Sequence, residues 1–256
     1  MSSAPASQSP AAAQFAREGY LICREAIPTA LRDFIATEYQ ILYGSRRLKI
    51  DRQVGHGYSA FGVDAAETLM QMLLPFVEVQ TGHKLFPTYS FGRIYMKGAS
   101  LIRHTDRPSC EVSVSVTIAQ SGNESWPLNL VSLSGKKVAA DLMPGDLLLY
   151  KGIDVTHWRD EFVGDTQLQL FLHYVRQDGP YAKYKFDMRP SLGAPPVRAV
   201  LDESLKDKPD GSQPRTVEFD TAPATIPAAA APATPPPASA APAVPTAIFR
   251  NPPKGR

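Results

Sequence analysis

The sequence predicts a mainly β domain with N-terminal helices, on three observations. Apolar residues recur at helical spacing over the first third of the chain, then from Tyr89 they alternate with polar ones in several short runs. Those runs are divided by glycine turns (SGN, SGK, PGD and VGD), the pattern of a sandwich or barrel. Helices first and strands afterwards argue against a doubly wound parallel sheet.

The segment AAAQFAREGYLICREAIP reads as a short helix and then a strand around Tyr20–Arg24. Pro28 suits the first turn of a helix over Ala30–Tyr43, with Leu31, Phe34, Ile35, Tyr39 and Leu42 on its apolar face. The stretch Arg46–Gly62 is polar and glycine-bearing and reads as a long loop. A second helix runs from about Asp64 to Thr81, with Leu69, Met72, Leu73, Phe76 and Val77 inward and Pro75 as a bending point. Strands are expected at Ser90–Met96, Val112–Ile118, Trp126–Leu133, Asp146–Lys151, Val155–Phe162 and Gln167–Arg176. The ends carry no packing signal: residues 1–14 are expected to be disordered. So is the Pro/Ala-rich tail 193–256, where Thr221–Ile248 has no charge and few large side chains to offset the entropy of ordering. One domain, 15–192, lies between.

Composition narrows the class. The chain of 256 residues is 43% hydrophobic and 20% charged, and its formal net charge of +2 gives no argument for a nucleic-acid or membrane-surface partner. The N-terminus has neither the basic start nor the apolar core of a secretion signal, and no window approaches the ~20 apolar residues of a membrane span. Cys23 and Cys110 match no metal-ligand spacing and read as reduced, buried thiols. The expectation is a soluble, cytoplasmic protein.

The first chemical signal is His104-Thr105-Asp106. On an extended segment, residues two apart project to one side, so an imidazole and a carboxylate can face a single ion. The tripeptide alone is weak. His157 follows later, after the apolar run DLLLYKG. Two neutral nitrogens and one carboxylate on one side of a metal leave the other positions open, an arrangement suited to Fe(II).

The segments RIYMKGASLIRHTDRPSCEVSVSVTI and DLMPGDLLLYKGIDVTHWRDEFVGDTQLQLFLHYV, in that order, resemble the two halves of the metal-binding region of Fe(II)/2-oxoglutarate-dependent dioxygenases. FAREGYLICREAIP resembles the helix and strand that precede the core of the prolyl-hydroxylase-like and phytanoyl-CoA-hydroxylase-like members. The resemblance spans roughly Phe15 to Tyr174. It implies a double-stranded β-helix (jelly-roll) core, with His104, Asp106 and His157 as metal ligands and catalytic centre. It further implies 2-oxoglutarate as cosubstrate, O₂ as oxidant, ascorbate as a candidate reductant, and a small-molecule or peptide substrate. The related halogenases carry a small residue where Asp106 stands, so the intact carboxylate points to hydroxylation or a related oxidation.

One part of the family pattern is missing. The cation for the far carboxylate of 2-oxoglutarate commonly lies on the last strand, about ten residues after the distal His, where this chain has Gln167. Arg159, two residues after His157, should share its inward face and is the expected substitute; Arg93 is its rival. Tyr95 matches a tyrosine that many members direct at the cosubstrate, and Gln167 and Gln169 could add hydrogen bonds. Arg107 is read either as an anion contact or as a surface ion pair, and His173 as a satisfied core histidine. Two other classes stay open: a cupin-like metal enzyme without 2-oxoglutarate, and a non-catalytic jelly-roll binding module. Oligomeric state is not legible.

Overall fold

In a computed structural model, residues 9–122 and 124–197 are described. In chain order the elements are α1 (Pro10–Glu18), β1 (Tyr20–Cys23), α2 (Thr29–Gly44), β2 (Lys49–Ile50), β3 (Gly57–Phe61), α3 (Asp64–Thr81) and β4 (Leu85–Met96). They continue as β5 (Leu101–His104), β6 (Val112–Gln120), β7 (Leu128–Val131), β8 (Lys137–Ala140), β9 (Leu147–Tyr150), β10 (His157–Arg159) and β11 (Thr166–Arg176). A 3₁₀ turn covers Pro108–Cys110, and a kinked one covers Ala182–Met188.

Two antiparallel sheets face each other. The larger runs β1-β9-β6-β11-β4-β3-β2 and the smaller β5-β10-β7-β8. Alternation along the central strands explains the layering. Val112, Val114, Val116 and Ile118 of β6, with Leu168, Leu170 and Leu172 of β11, turn outward into one core with Phe15 of α1, Ile35 and Tyr39 of α2, and Leu69, Met70 and Val77 of α3. The polar partners in the alternation, Ser113, Ser115, Thr117, Gln167, Gln169 and His173, turn inward between the sheets and are all buried. An apolar shell of Tyr95, Leu101, Trp126, Phe162 and Phe171 closes one side of that interior, and Leu128, Leu148, Tyr150 and Val155 belong to another.

Several sequence expectations change. α1 starts at Pro10 with Ser9 Oγ accepting from the Ala12 amide, so residues 10–14 are helical rather than part of a disordered start. The Arg46–Gly62 loop contains β2 and β3, and β3 pairs with β4 from Gly57↔Tyr95 to Phe61↔Phe91. Phe34 and Met72 face outward, 64% and 57% exposed, while Ala36, Ala66 and Met70 take the buried positions. α3 runs unbroken through Pro75. Pro75 and Gln71, whose carbonyl it deprives of a partner, are both exposed residues. The strand expected at Val155–Phe162 shortens to β10, and β8 was not foreseen. The expected tail from residue 198 onward lies outside the described residues. Among those described, no helix is long and apolar enough to cross a membrane.

Candidate metal centre

β5 and β10 pair antiparallel with His157 opposite His104, which sets the two imidazoles side by side, ring centroids 4.4 Å apart. Asp106 follows β5, its amide donating to the Gly152 carbonyl at 2.8 Å, and its carboxylate turns back between the rings. His104 Nε2 and His157 Nε2 each lie 3.6 Å from Asp106 Oδ1. Bonds of ~2.1 Å at right angles put neighbouring donors roughly 3 Å apart, so the three atoms are spaced for one small divalent ion.

The outer partners fix which nitrogens face inward. His104 Nδ1 lies 2.8 Å from the Ile102 carbonyl and His157 Nδ1 lies 2.9 Å from that of Val155, in both cases two residues back along the chain. A carbonyl only accepts, so each Nδ1 carries the proton and each Nε2 presents a lone pair, as a ligand histidine must. Burial pushes the pKa of His157 down and keeps it neutral. Burial pushes Asp106 up, but His104 and the other neighbouring histidines outweigh it and hold the carboxyl below its usual range. The donor set therefore fits Fe(II) in charge, protonation and spacing.

The triad opens into a cavity of about 300 Å³ whose lining includes Gln53, Tyr89, Phe91, Arg93, Tyr150 and Phe171. Arg93 reaches this wall but is already paired: Nε to Asp51 Oδ2 at 2.7 Å, Nη2 to Gln53 Oε1 at 2.7 Å and Nη1 to Tyr95 Oη at 3.1 Å. Arg107 also lines it, held bidentately by Asp187 at 2.8 Å and stacked on Tyr89. The ion-pair reading of Arg107 is the one observed, and the pair is largely buried rather than on the surface.

Arg159 is different. It does face inward with His157, as alternation requires, and is 2% exposed. Its Nη1 donates to the Trp126 carbonyl, and its guanidinium lies 5.8 Å from the Tyr95 ring and 4.4 Å from that of Trp126. Among the described residues, Nε and Nη2 have no hydrogen-bond partner, nor has Gln167 Oε1. Burial without a counter-ion pushes the guanidinium below its usual pKa. A buried cation without a counter-ion is costly, and Arg159 keeps hydrogen-bonding capacity to spare in this interior. Arg159, Tyr95 and Gln167 are not on the cavity lining; they form a layer beside it.

Several residues of the site were not singled out in the sequence. Cys110 lines the cavity and accepts or donates a bond with Tyr89 Oη at 3.2 Å. Ser113 bonds both Asp106 and His173. Gly152 leaves no room for a side chain: a Cβ there would meet the Cys110 carbonyl oxygen and lie 2.5 Å from Asp106 Oδ2.

No protein-family model and no curated protein sequence matches the chain. Solved structures do. A prolyl-4-hydroxylase from Pseudomonas putida shares 16% identity with a TM-score of 0.54, over 65% of this chain and 97% of that one. The non-heme alpha ketoglutarate dependent epimerase SnoN from nogalamycin biosynthesis shares 15% at a TM-score of 0.59, over 73% and 91%. HygX from Streptomyces hygroscopicus, solved with nickel, 2-oxoglutarate and hygromycin B, shares 14% at 0.52, over 64% and 85%. The fold is thus the double-stranded β-helix of the Fe(II)/2-oxoglutarate oxygenases.

Proposed function

We propose that this protein is a non-haem Fe(II)- and 2-oxoglutarate-dependent dioxygenase that hydroxylates a small-molecule or peptide substrate. The observation that carries the reading is the convergence of His104 Nε2, His157 Nε2 and Asp106 Oδ1 at one end of a cavity, with both imidazole tautomers set for metal binding. The structural neighbours add support: one is a prolyl hydroxylase in complex with a peptide fragment, and HygX was solved with 2-oxoglutarate and hygromycin B bound.

Fe(II) with 2-oxoglutarate, when bound, supplies the oxidising power, converting the cosubstrate to succinate and CO₂ as O₂ is consumed. The chain's own residues do the rest. Three side chains hold the ion and leave its remaining positions to the cavity. Arg159 receives the far carboxylate of 2-oxoglutarate, with the Tyr95 hydroxyl as a neutral helper; Gln167, whose Nε2 donates to Gln169 and whose unpartnered atom is the acceptor Oε1, does not share that role. Phe91, Leu101 and Phe171 give the cavity apolar walls that exclude water from the reacting end.

Succinate release with Fe(II), 2-oxoglutarate and O₂ tests the proposal, and substrate screening by mass spectrometry would read a gain of one oxygen. Removing Arg159 takes away a charge-assisted bond that contributes roughly 1.5–3 kcal/mol, so Arg159→Ala should raise the KM for 2-oxoglutarate about tenfold or more while iron binding survives. A normal KM in that variant would shift the role to Arg93. One observation favours a second reading, a metal enzyme that needs no 2-oxoglutarate: Gln167 stands where the family has its cation, and Arg159 is not on the cavity lining. Turnover without 2-oxoglutarate would establish it.

A further inference from the structure

The carboxylate oxygen of Asp106 that the two histidines do not face is held by a hydrogen-bonded chain across the inner face of the large sheet. Ser113 of β6 sits directly opposite His173 of β11. Ser113 Oγ lies 3.1 Å from Asp106 Oδ2, 2.9 Å from His173 Nδ1 and 3.2 Å from the Cys110 carbonyl. A serine hydroxyl has one proton. His173 Nδ1 lies nearest, but the carboxylate is the one charged acceptor of the three, so it takes that proton in the stronger bond. The Ser113 oxygen is then an acceptor, and His173 Nδ1 must be the protonated nitrogen that donates to it. The chain therefore has one direction, from His173 through Ser113 to Asp106.

The other side of the carboxylate is closed by backbone. The Asp106 amide is bonded to Gly152, and the space a Gly152 side chain would fill is taken by Asp106 Oδ2 and Ser113 Oγ, at 2.5 and 2.6 Å from an added Cβ. Ser113 and His173 are both buried, 0% and 5% exposed, so solvent does not substitute for either bond.

We propose that Ser113 and His173 are positioning residues that restrain Asp106 so that it offers the metal a single oxygen. Three protein donors then occupy one side of the ion, and the positions needed by a chelating cosubstrate stay free. The inference rests on the metal-site reading above.

The test is anaerobic titration of the metal-free, full-length protein with Co(II), followed by its visible absorption. Outer-shell partners typically change metal affinity by about 10–100-fold. Ser113→Ala should bind Co(II) more weakly by that factor and with an altered spectrum. His173→Phe should also weaken binding, whereas His173→Asn, which keeps an N–H near the Nδ1 position, should restore affinity and spectrum. Ser113→Ala with His173→Phe should be no worse than Ser113→Ala alone, because both cut the same chain. The His173 pair decides the question even if Ser113→Ala folds poorly. Wild-type affinity and spectrum in His173→Phe and Ser113→Ala, or fully additive losses, would overturn the proposal. Failure of the wild-type protein to bind Co(II) would instead remove the metal site itself.

Discussion

At the scale of single residues, the centre depends on how closely the backbone approaches Asp106. Gly152→Ala places a methyl group against the Cys110 carbonyl oxygen and 2.5 Å from Asp106 Oδ2. The first of these atoms belongs to the main chain and cannot swing away. Overpacking of this kind costs about 1–3 kcal/mol, and here the side chain free to move is the metal ligand. The variant should fold with a lower Tm and lose metal affinity out of proportion to its stability, read by Co(II) titration beside thermal denaturation. The convergence of His104, Asp106 and His157 was legible in sequence because H-x-D on an extended segment and a histidine after an apolar strand each carry chemistry in their residue types. Arg159's inward orientation was legible too, since it follows from strand alternation alone. Ser113, Cys110 and Gly152 were not. Their importance comes from convergence across strands, and a serine in an alternating strand gives no local sign that it will meet a carboxylate.

At the scale of elements, the segment after β11 is tied back onto the sheet and α3 by two buried arginine pairs. Asp187, with φ of 56°, sits among three consecutive left-handed residues and is gripped by Arg107, beside the metal ligand. Such a run of non-glycine residues is strained and persists because its surroundings over-determine it. Arg189 is buried and donates to Glu67 of α3 at 2.6 Å and to the carbonyls of Thr88, Phe186 and Ala194. Arg189→Ala leaves Glu67, 3% exposed, without its counter-ion, a loss of about 3–5 kcal/mol. Tm should fall by roughly 8–15 °C, and Glu67→Gln in the same background should recover part of it, both read by thermal denaturation. No change in Arg189→Ala would show that the segment does not support α3. The central strands were legible through period-two alternation. β2 and β3 were not: in GYSAF the inward positions are Gly57, Ser59 and Phe61, so a single large apolar side chain marks the inner face.

At the scale of the whole molecule, the buried imidazoles couple metal-free stability to pH. Burial pushes His173 down to about 4, and His157 shifts the same way, while the Asp106 carboxylate raises His104. An unfolded histidine titrates near 6.5. Between those values the unfolded chain binds a proton that the folded His173 refuses. Stability is therefore fully present above about pH 6.5 and is lost as pH falls towards 4, on the order of 3 kcal/mol for His173. Denaturant unfolding of the metal-free protein at pH 7 and 4.5 should show this slope, and His173→Asn should flatten it; equal slopes would contradict the account. The jelly-roll core was legible because the order of motifs constrained it, whereas the packing around Arg189 depends on contacts distant in sequence. The central claim, a metal that recruits 2-oxoglutarate beside Arg159, is tested most directly by calorimetric titration of 2-oxoglutarate into Mn(II)-loaded protein under nitrogen. The account predicts one site that requires the metal, is absent in Asp106→Ala, and is weakened about tenfold or more in Arg159→Ala. Binding that ignores the metal, or no binding to the loaded wild-type protein, would contradict it.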